Sequence, residues 1–498
     1  MEEKNPRKLI FFAVIGVLVV GLLIAFSFFG APAGKKTKIA PQELTIWEVG
    51  MDTSAFDPVI AAYKLANKGA AAVTVTIKKF ASYAEYERIL PLAMVDGNSP
   101  DIFVVSNDGG WNVLGRFVER LPASIIDPVA FRRDYPSFLV DDLLAEDAQE
   151  IVAAATGSGK SKKPVETATQ IVASTRGVPV GYETLAVFYN TRKMRGVPDA
   201  WSGFPSMALD AQDGAPASGS DFSPLGLGLG TSVPGSADTF ALLLAQQGIR
   251  GPKSLTTGTR VLESYQAFAN SPENNLAQFA PQLRDGLTVL DLFVRGKVGA
   301  VVGFPSLARE LEYASKRAAT GEAKIILRSI RAGAVPQSFL PVPSSGDSES
   351  GSVADKVRDT LSVNLVRYRY WAVSKFAQHP DAAADFLAYL TTKDGQKSLA
   401  KAFPWLLPAH RDVLADEMKS PIAPDWKITK ESFVQDGADL VSFDKSNPSA
   451  WDARLPVVLD RYDGDARKLL DAFIRYLSCV SDQSSGRSYD VSCLGAGQ

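Results

Sequence analysis

The chain has 498 residues, 46% hydrophobic and 22% charged, with a formal net charge of −2. That length points to two or three domains, and the composition is that of a folded globular protein rather than a disordered or polytopic one. The balanced charge offers no concentrated basic face for nucleic acid. Two histidines, His379 and His410, are too few for a histidine-rich metal centre, although an all-oxygen site stays open.

Residues 9–30 read LIFFAVIGVLVVGLLIAFSFFG, without a charge, and match the ~20 residues that cross hydrocarbon. The apolar part of a cleaved signal peptide is shorter, about 7–15 residues. An uncleaved anchor is therefore expected, with cleavage after Ala31-Pro32-Ala33 as its rival. No cysteine lies nearby, which excludes a lipid anchor at that point. Lysines and arginine on both flanks leave the orientation undecided by charge. A large C-terminal domain outside the cytoplasm is the expected arrangement. Residues 31–43 form a Pro/Gly/Lys tether.

Regular alternation follows. Residues 44–49 (LTIWEV) predict a strand, 54–67 a helix, 73–80 (VTVTIKKF) a β-branched strand, 83–95 a helix and 101–105 (DIFVV) a short buried strand. Strands separated by single helices predict a parallel sheet with helices on both faces. Residues 141–155 read as a helical, acidic run, and 148–168 as a Gly/Ser/Lys surface loop. Within it, AATGSGKS loosely fits a phosphate loop, but a helix-like run precedes it and Lys162-Lys163-Pro164 follows where a helix should open. Residues 176–190 return to strand. Gly226, Gly228 and Gly230 miss the dinucleotide spacing and read as a loop. Helix is expected over 236–247, then helix, turn and strand over 287–304. A loop covers 341–351, a short strand 371–374, and helices 380–390, 393–401 and 466–477. No serine elbow, zinc-protease motif or carboxylate couple stands out. Cys479 and Cys493, the only cysteines, read as a disulfide across a short polar loop if the compartment is oxidising, or as two reduced thiols otherwise.

Several of these segments, in order, resemble the extracellular solute-binding proteins of ABC importers, the maltose-binding-protein-like family 1. They are LTIWEV; YAEYERILPLAMVDGNSPDIFVV at 83–105, with its Pro100-Asp101 pair; NDGGWNVLGRFVERL at 107–121; GVPVGYETLAVFYN at 177–190, running on to Trp201; FVRGKVGAVVG at 293–303; SKFAQHPDAAADFLAYLTTKDGQKSLAKAF at 374–403; and 447–477. The matches span nearly all of the chain beyond the tether.

The resemblance implies an α/β, two-lobed periplasmic-binding-protein-like fold with a hinge and a ligand cleft; the apolar span places a cytoplasmic N-terminus and one transmembrane helix before it, at 1–30. Lobe one would comprise 44–176 plus 327–401, and lobe two 177–324 plus 402–477, with a tail at 478–498. It implies a monomeric receptor without enzymatic activity or cofactor, handing a sugar or oligosaccharide to importer permease subunits. Family placement and strand ends select ligand-facing residues: Trp47 and Glu48, Asn107 and Asp108, Trp111, Tyr182, Phe304, Tyr370 and Trp371, and Trp451. Aromatic faces suit the C–H face of a sugar, and charged or amide groups its hydroxyls. Trp111 and Trp451, in polar contexts, are expected to be exposed; Trp405, in FPWLLP, is expected in the core. Two readings stay beside this one: an anchored scaffold or sensor without transport, and a glycan-acting enzyme.

Overall fold

The structure is a computed structural model that describes residues 42–67, 73–152, 167–209, 221–227, 230–274, 276–318, 326–337, 362–423, 426–435, 437–462 and 464–484. The expected anchor, the AATGSGKS segment, the 341–351 loop and Cys493 lie outside these residues. Among the described residues no helix is long and apolar enough to cross a membrane.

The first strands are β1 (Gln42–Val49), β2 (Val73–Phe80) and β3 (Ile102–Ser106). They lie parallel, β1 between the other two. The helix Asp57–Ala66 starts with a proline in its first turn, where a missing N–H costs nothing. The helix Tyr83–Val95 is capped by Ser82, whose hydroxyl accepts from Glu85 N, and buries Tyr86, Leu90 and Met94 at helical spacing. The Pro100-Asp101 step has a structural use. The Asp101 carboxylate accepts from Thr45 N at 2.9 Å and from His379 N at 2.8 Å, pinning three segments together.

After short β4 (Val118–Glu119) and β5 (Leu121–Pro122), β6 (Leu144–Val152) and β7 (Thr167–Thr175) form an antiparallel pair. The acidic run expected to be helical is therefore strand from Leu144 onward. Cross-strand pairing with β7 supplies the backbone partners that local propensity alone would have sought within a helix.

Next come β8 (Val178–Thr184), β9 (Ala186–Asn190), β10 (Ala300–Gly303), β11 (Ile330–Gly333), β12 (Val363–Ser374) and β13 (Asp439–Val441). The large sheet runs β13-β12-β3-β1-β2, with β4 and β8 also on β12. It is mixed rather than all-parallel, because β12 returns antiparallel to β3 and β8. β12 has 12 residues, where the sequence suggested a short strand beginning at Trp371. A smaller antiparallel sheet has the order β10-β9-β11. Only Leu185 separates β8, in the large sheet, from β9, in the small one, so the chain crosses there.

The small sheet is covered on both faces, as strand alternation predicts. Ala186, Phe188 and Val301 join the apolar cluster that continues into the large sheet. Leu185, Val187, Ala300 and Val302 point into a separate cluster built with the helices Ser236–Gln246, Thr259–Ala269, Pro448–Asp460 and Ala466–Ser484. The result is a two-lobed α/β architecture with strands passing between the sheets.

Candidate functional site

The C-terminal ends of β1, β3 and β10 approach one another where the two sheets meet. β12 crosses this region with the sequence Val366-Arg367-Tyr368-Arg369-Tyr370-Trp371. Strand period two places Arg367 and Arg369 on one face. Between the sheets lies a cavity of about 100 Å³. Gly50, Met51, Arg367 and Arg369 line one side, and Glu183, Ser306 and Arg309 another. Trp405 and Leu406 close it.

Each charge here is anchored. Arg367 Nη2 donates to Glu183 Oε2 at 3.0 Å and to Ser306 Oγ at 3.2 Å, and its guanidinium lies 4.0 Å above the Phe304 ring. Ser306 N donates to Glu183 Oε1 at 2.8 Å, so β8 and the start of the helix Leu307–Ala318 hold that carboxylate together. Arg367 Nη1 stands 3.8 Å from Asp238. Burial disfavours the guanidinium charge, but Glu183 and Asp238 outweigh it and raise the pKa of Arg367. Arg369 donates to Val49 O at 2.7 Å and lies 3.7 Å from Glu48. Glu48 has no exposed surface and accepts from Trp371 Nε1 at 2.6 Å and from Val49 N at 2.9 Å. Burial raises its pKa despite Arg369. Arg309 rests 4.9 Å from the centre of the Trp405 ring.

Beside the cavity, Lys445 is buried among Asp452 at 2.7 Å, Asp238 at 2.9 Å and Asp108 at 3.4 Å. Burial opposes its charge; the carboxylates, Asp238 first, more than offset this and raise its pKa. Burial pushes Asp108 up, and Lys445 brings it below the ordinary carboxylate range. Glu87, which accepts from Ser449 Oγ, is pushed up to about 7, chiefly by burial.

The ten sequence-selected residues divide sharply. Glu48 and Phe304 support the cavity arginines from behind. Asp108 belongs to the Lys445 cluster. Asn107 braces the backbone: its side chain donates to Val366 O and accepts from Tyr368 N. Trp47 is buried against Phe80, with Lys78 over its ring. Tyr370 is buried too. Trp111 is half-buried under Arg176 and does not line the cavity. Tyr182 is 3% exposed, packs edge-on to Phe138 and borders a separate open depression of about 480 Å³ with Arg411 and Met418.

Two expectations need correction. Trp371 is fully enclosed between Phe56 and Phe386. Trp451, expected to be exposed, is 0% exposed between Phe443 and Phe473, because the last helix folds its apolar face over it. Trp405, expected in the core, is half-buried: it packs against the core cluster beside Phe403 and also lines the cavity. Sequence reasoning missed Arg367, Arg369, Glu183, Arg309 and Lys445. For the first two the signal was present, since alternating Arg and Tyr has strand period. The others depend on tertiary neighbours. Among the described residues, no cluster of His, Cys, Asp and Glu is placed to hold a metal ion.

The family model for bacterial extracellular solute-binding proteins matches residues 59–430. No curated protein sequence matches the chain. Among solved structures, the fold is similar to an ABC substrate-binding protein from Listeria monocytogenes in complex with cycloalternan. The TM-score is 0.57 at 13% identity, covering 90% of this chain and 100% of that one. An unliganded maltodextrin binding protein from L. casei gives 0.56 at 13%, covering 88% and 99%. A periplasmic solute binding protein from Pectobacterium atrosepticum gives 0.56 at 16%, covering 89% and 99%.

Proposed function

The chain belongs to the bacterial extracellular solute-binding proteins, and on that premise we propose that it is a membrane-anchored, extracytoplasmic receptor that binds a carbohydrate between its lobes for ABC-type import. The observation that carries the reading is the cavity itself. Donors and acceptors from both sheets converge on it, backed by the faces of Phe304 and Trp405. Fixed charged groups pair sugar hydroxyls, and an aromatic face covers C–H groups. The solved maltodextrin and cycloalternan receptors of the same fold support the carbohydrate class.

A sugar enters and leaves as the lobes part and close about the crossing strands near Leu185. Arg367 and Glu183, cross-strand neighbours on β12 and β8, stay paired throughout that motion. Residues 9–30 supply the anchor, and Cys479 on the last helix pairs with Cys493 outside the cell. The chain binds and releases without turnover.

A thermal-shift panel of mono- and oligosaccharides, polyols, amines and peptides tests this. A bound solute raises stability by about 2.7 kcal/mol at one hundred times its Kd. Sugars are expected to shift the transition; no shift from any sugar would refute the reading. Thiol titration with and without reductant tests the disulfide.

A further inference from the structure

The charges facing the cavity do not balance. Arg309, Arg367 and Arg369 line it, against one carboxylate in the lining, Glu183; Asp238, 3.8 Å from Arg367, lies outside the lining. Glu183 is fully engaged, by Arg367 and by Ser306 N. Glu48, the nearest counter-charge to Arg369, stands behind that side chain and not in the lining. Arg309 has no carboxylate within ion-pair distance among the described residues, and its guanidinium lies 4.9 Å from the centre of the Trp405 ring.

Donor capacity points the same way. A guanidinium has five N–H donors in a planar fork. Arg369 uses Nη1 on Val49 O, and Arg367 uses Nη2 on Glu183 and Ser306. Their other N–H groups have no protein acceptor among the described residues. A neutral sugar presents hydroxyls that each take one such donor. A carboxylate takes two in parallel from one fork and neutralises the surplus charge at once.

Resting on the carbohydrate reading above, we propose that the preferred solute is an acidic sugar, whose carboxylate docks on the Arg309–Arg367–Arg369 face. Arg367 lies 4.0 Å from the centre of the Phe304 ring and Arg309 4.9 Å from that of Trp405, so two of the three guanidinium groups are held before the solute arrives. Association is steered by the positive cavity and weakens as salt rises.

The test is isothermal titration of the full-length protein in detergent with matched pairs: glucose and glucuronate, galactose and galacturonate, and the corresponding oligosaccharides. Glucose 6-phosphate and free acetate are added arms. The acidic member of a pair is expected to bind at least tenfold more tightly than its neutral parent. Arg309→Met, at an exposed position, is expected to remove most of that preference; because Arg309 lines the cavity, the readout is the ratio of acidic to neutral affinity in the variant against the same ratio in the unsubstituted protein. Arg309→Lys is expected to recover only part of it, because the fork is lost. Equal binding of neutral and acidic partners overturns the inference and leaves the carbohydrate reading standing. Tighter binding of the phosphorylated sugar overturns the carboxylate assignment. Binding of acetate as tight as that of any uronate overturns the sugar component. Failure of every carbohydrate defeats the underlying reading itself.

Discussion

Replacing Lys445 by methionine keeps most of the length of the side chain and removes the ammonium that Asp108, Asp238 and Asp452 share. Lys445 is 3% exposed, so water cannot take its place freely. Removing one member of a buried ionic cluster leaves the others uncompensated and costs about 3–5 kcal/mol. With a urea slope of roughly 2–3 kcal/mol/M, the unfolding midpoint at pH 8 should fall by roughly 1–2 M. The sign of the pH dependence follows. Without Lys445, Asp108 and Asp452 lose the charge that holds their pKa values down, so both rise in the folded variant. The folded variant then holds extra protons in mildly acid solution, and its stability falls as pH rises through that range. Urea titrations followed by tryptophan fluorescence at pH 5 and pH 8 measure both effects. The deficit relative to the unsubstituted protein should be clearly smaller at pH 5. A loss under about 1 kcal/mol at pH 8 would refute the reasoning, as would an equal loss at both values.

Glu87 holds its proton up to about 7 against an ordinary 4.5, so ionising it costs the folded state, and stability falls as pH rises between those values. Glu87→Gln should therefore stabilise by up to roughly 3 kcal/mol at pH 8 and hardly at all at pH 4.5; a gain independent of pH contradicts the assignment. Trp451→Ala should cost about 3–5 kcal/mol, because the ring fills the space between Phe443 and Phe473. A near-neutral effect on denaturant midpoint would mean that the site is not packed as described. Gly177→Ala places a methyl group 2.4 Å from Trp371 O, which forces β8 and β12 apart. A loss of about 2 kcal/mol or more is expected on thermal unfolding, and wild-type stability would show that the strands are not that close.

Local pattern carried much of the fold. VTVTIKKF and YAEYERILPLAMV are strand and helix at the bounds their periodicity gives, because one face of each is apolar and the ends carry turn or capping residues. The run from Leu144 failed because its strand character comes from a partner about 20 residues away. The site was less legible, for a related reason. Tryptophans were chosen for their chemistry, but a large ring beside a polar segment is still buried when a distant helix covers it, as at Trp451. Arg367 and Arg369 were not selected, although their alternation with tyrosine along β12 already placed them on one side. What could not be read was that Phe304, Glu183 and Glu48, from three other strands, converge on those two guanidinium groups.

β12 keeps two kinds of information on one backbone. Tyr368 and Tyr370 are buried among neighbours that hold the lobes in shape, while Arg367 and Arg369 between them stay about 30% exposed to the space where a solute would sit. The main-chain ladder to β3 and β8 is indifferent to which side chains stand at 367 and 369. On the proposed reading, substitutions at 367 and 369 would therefore change which solute is held while leaving the ladder of the large sheet in place.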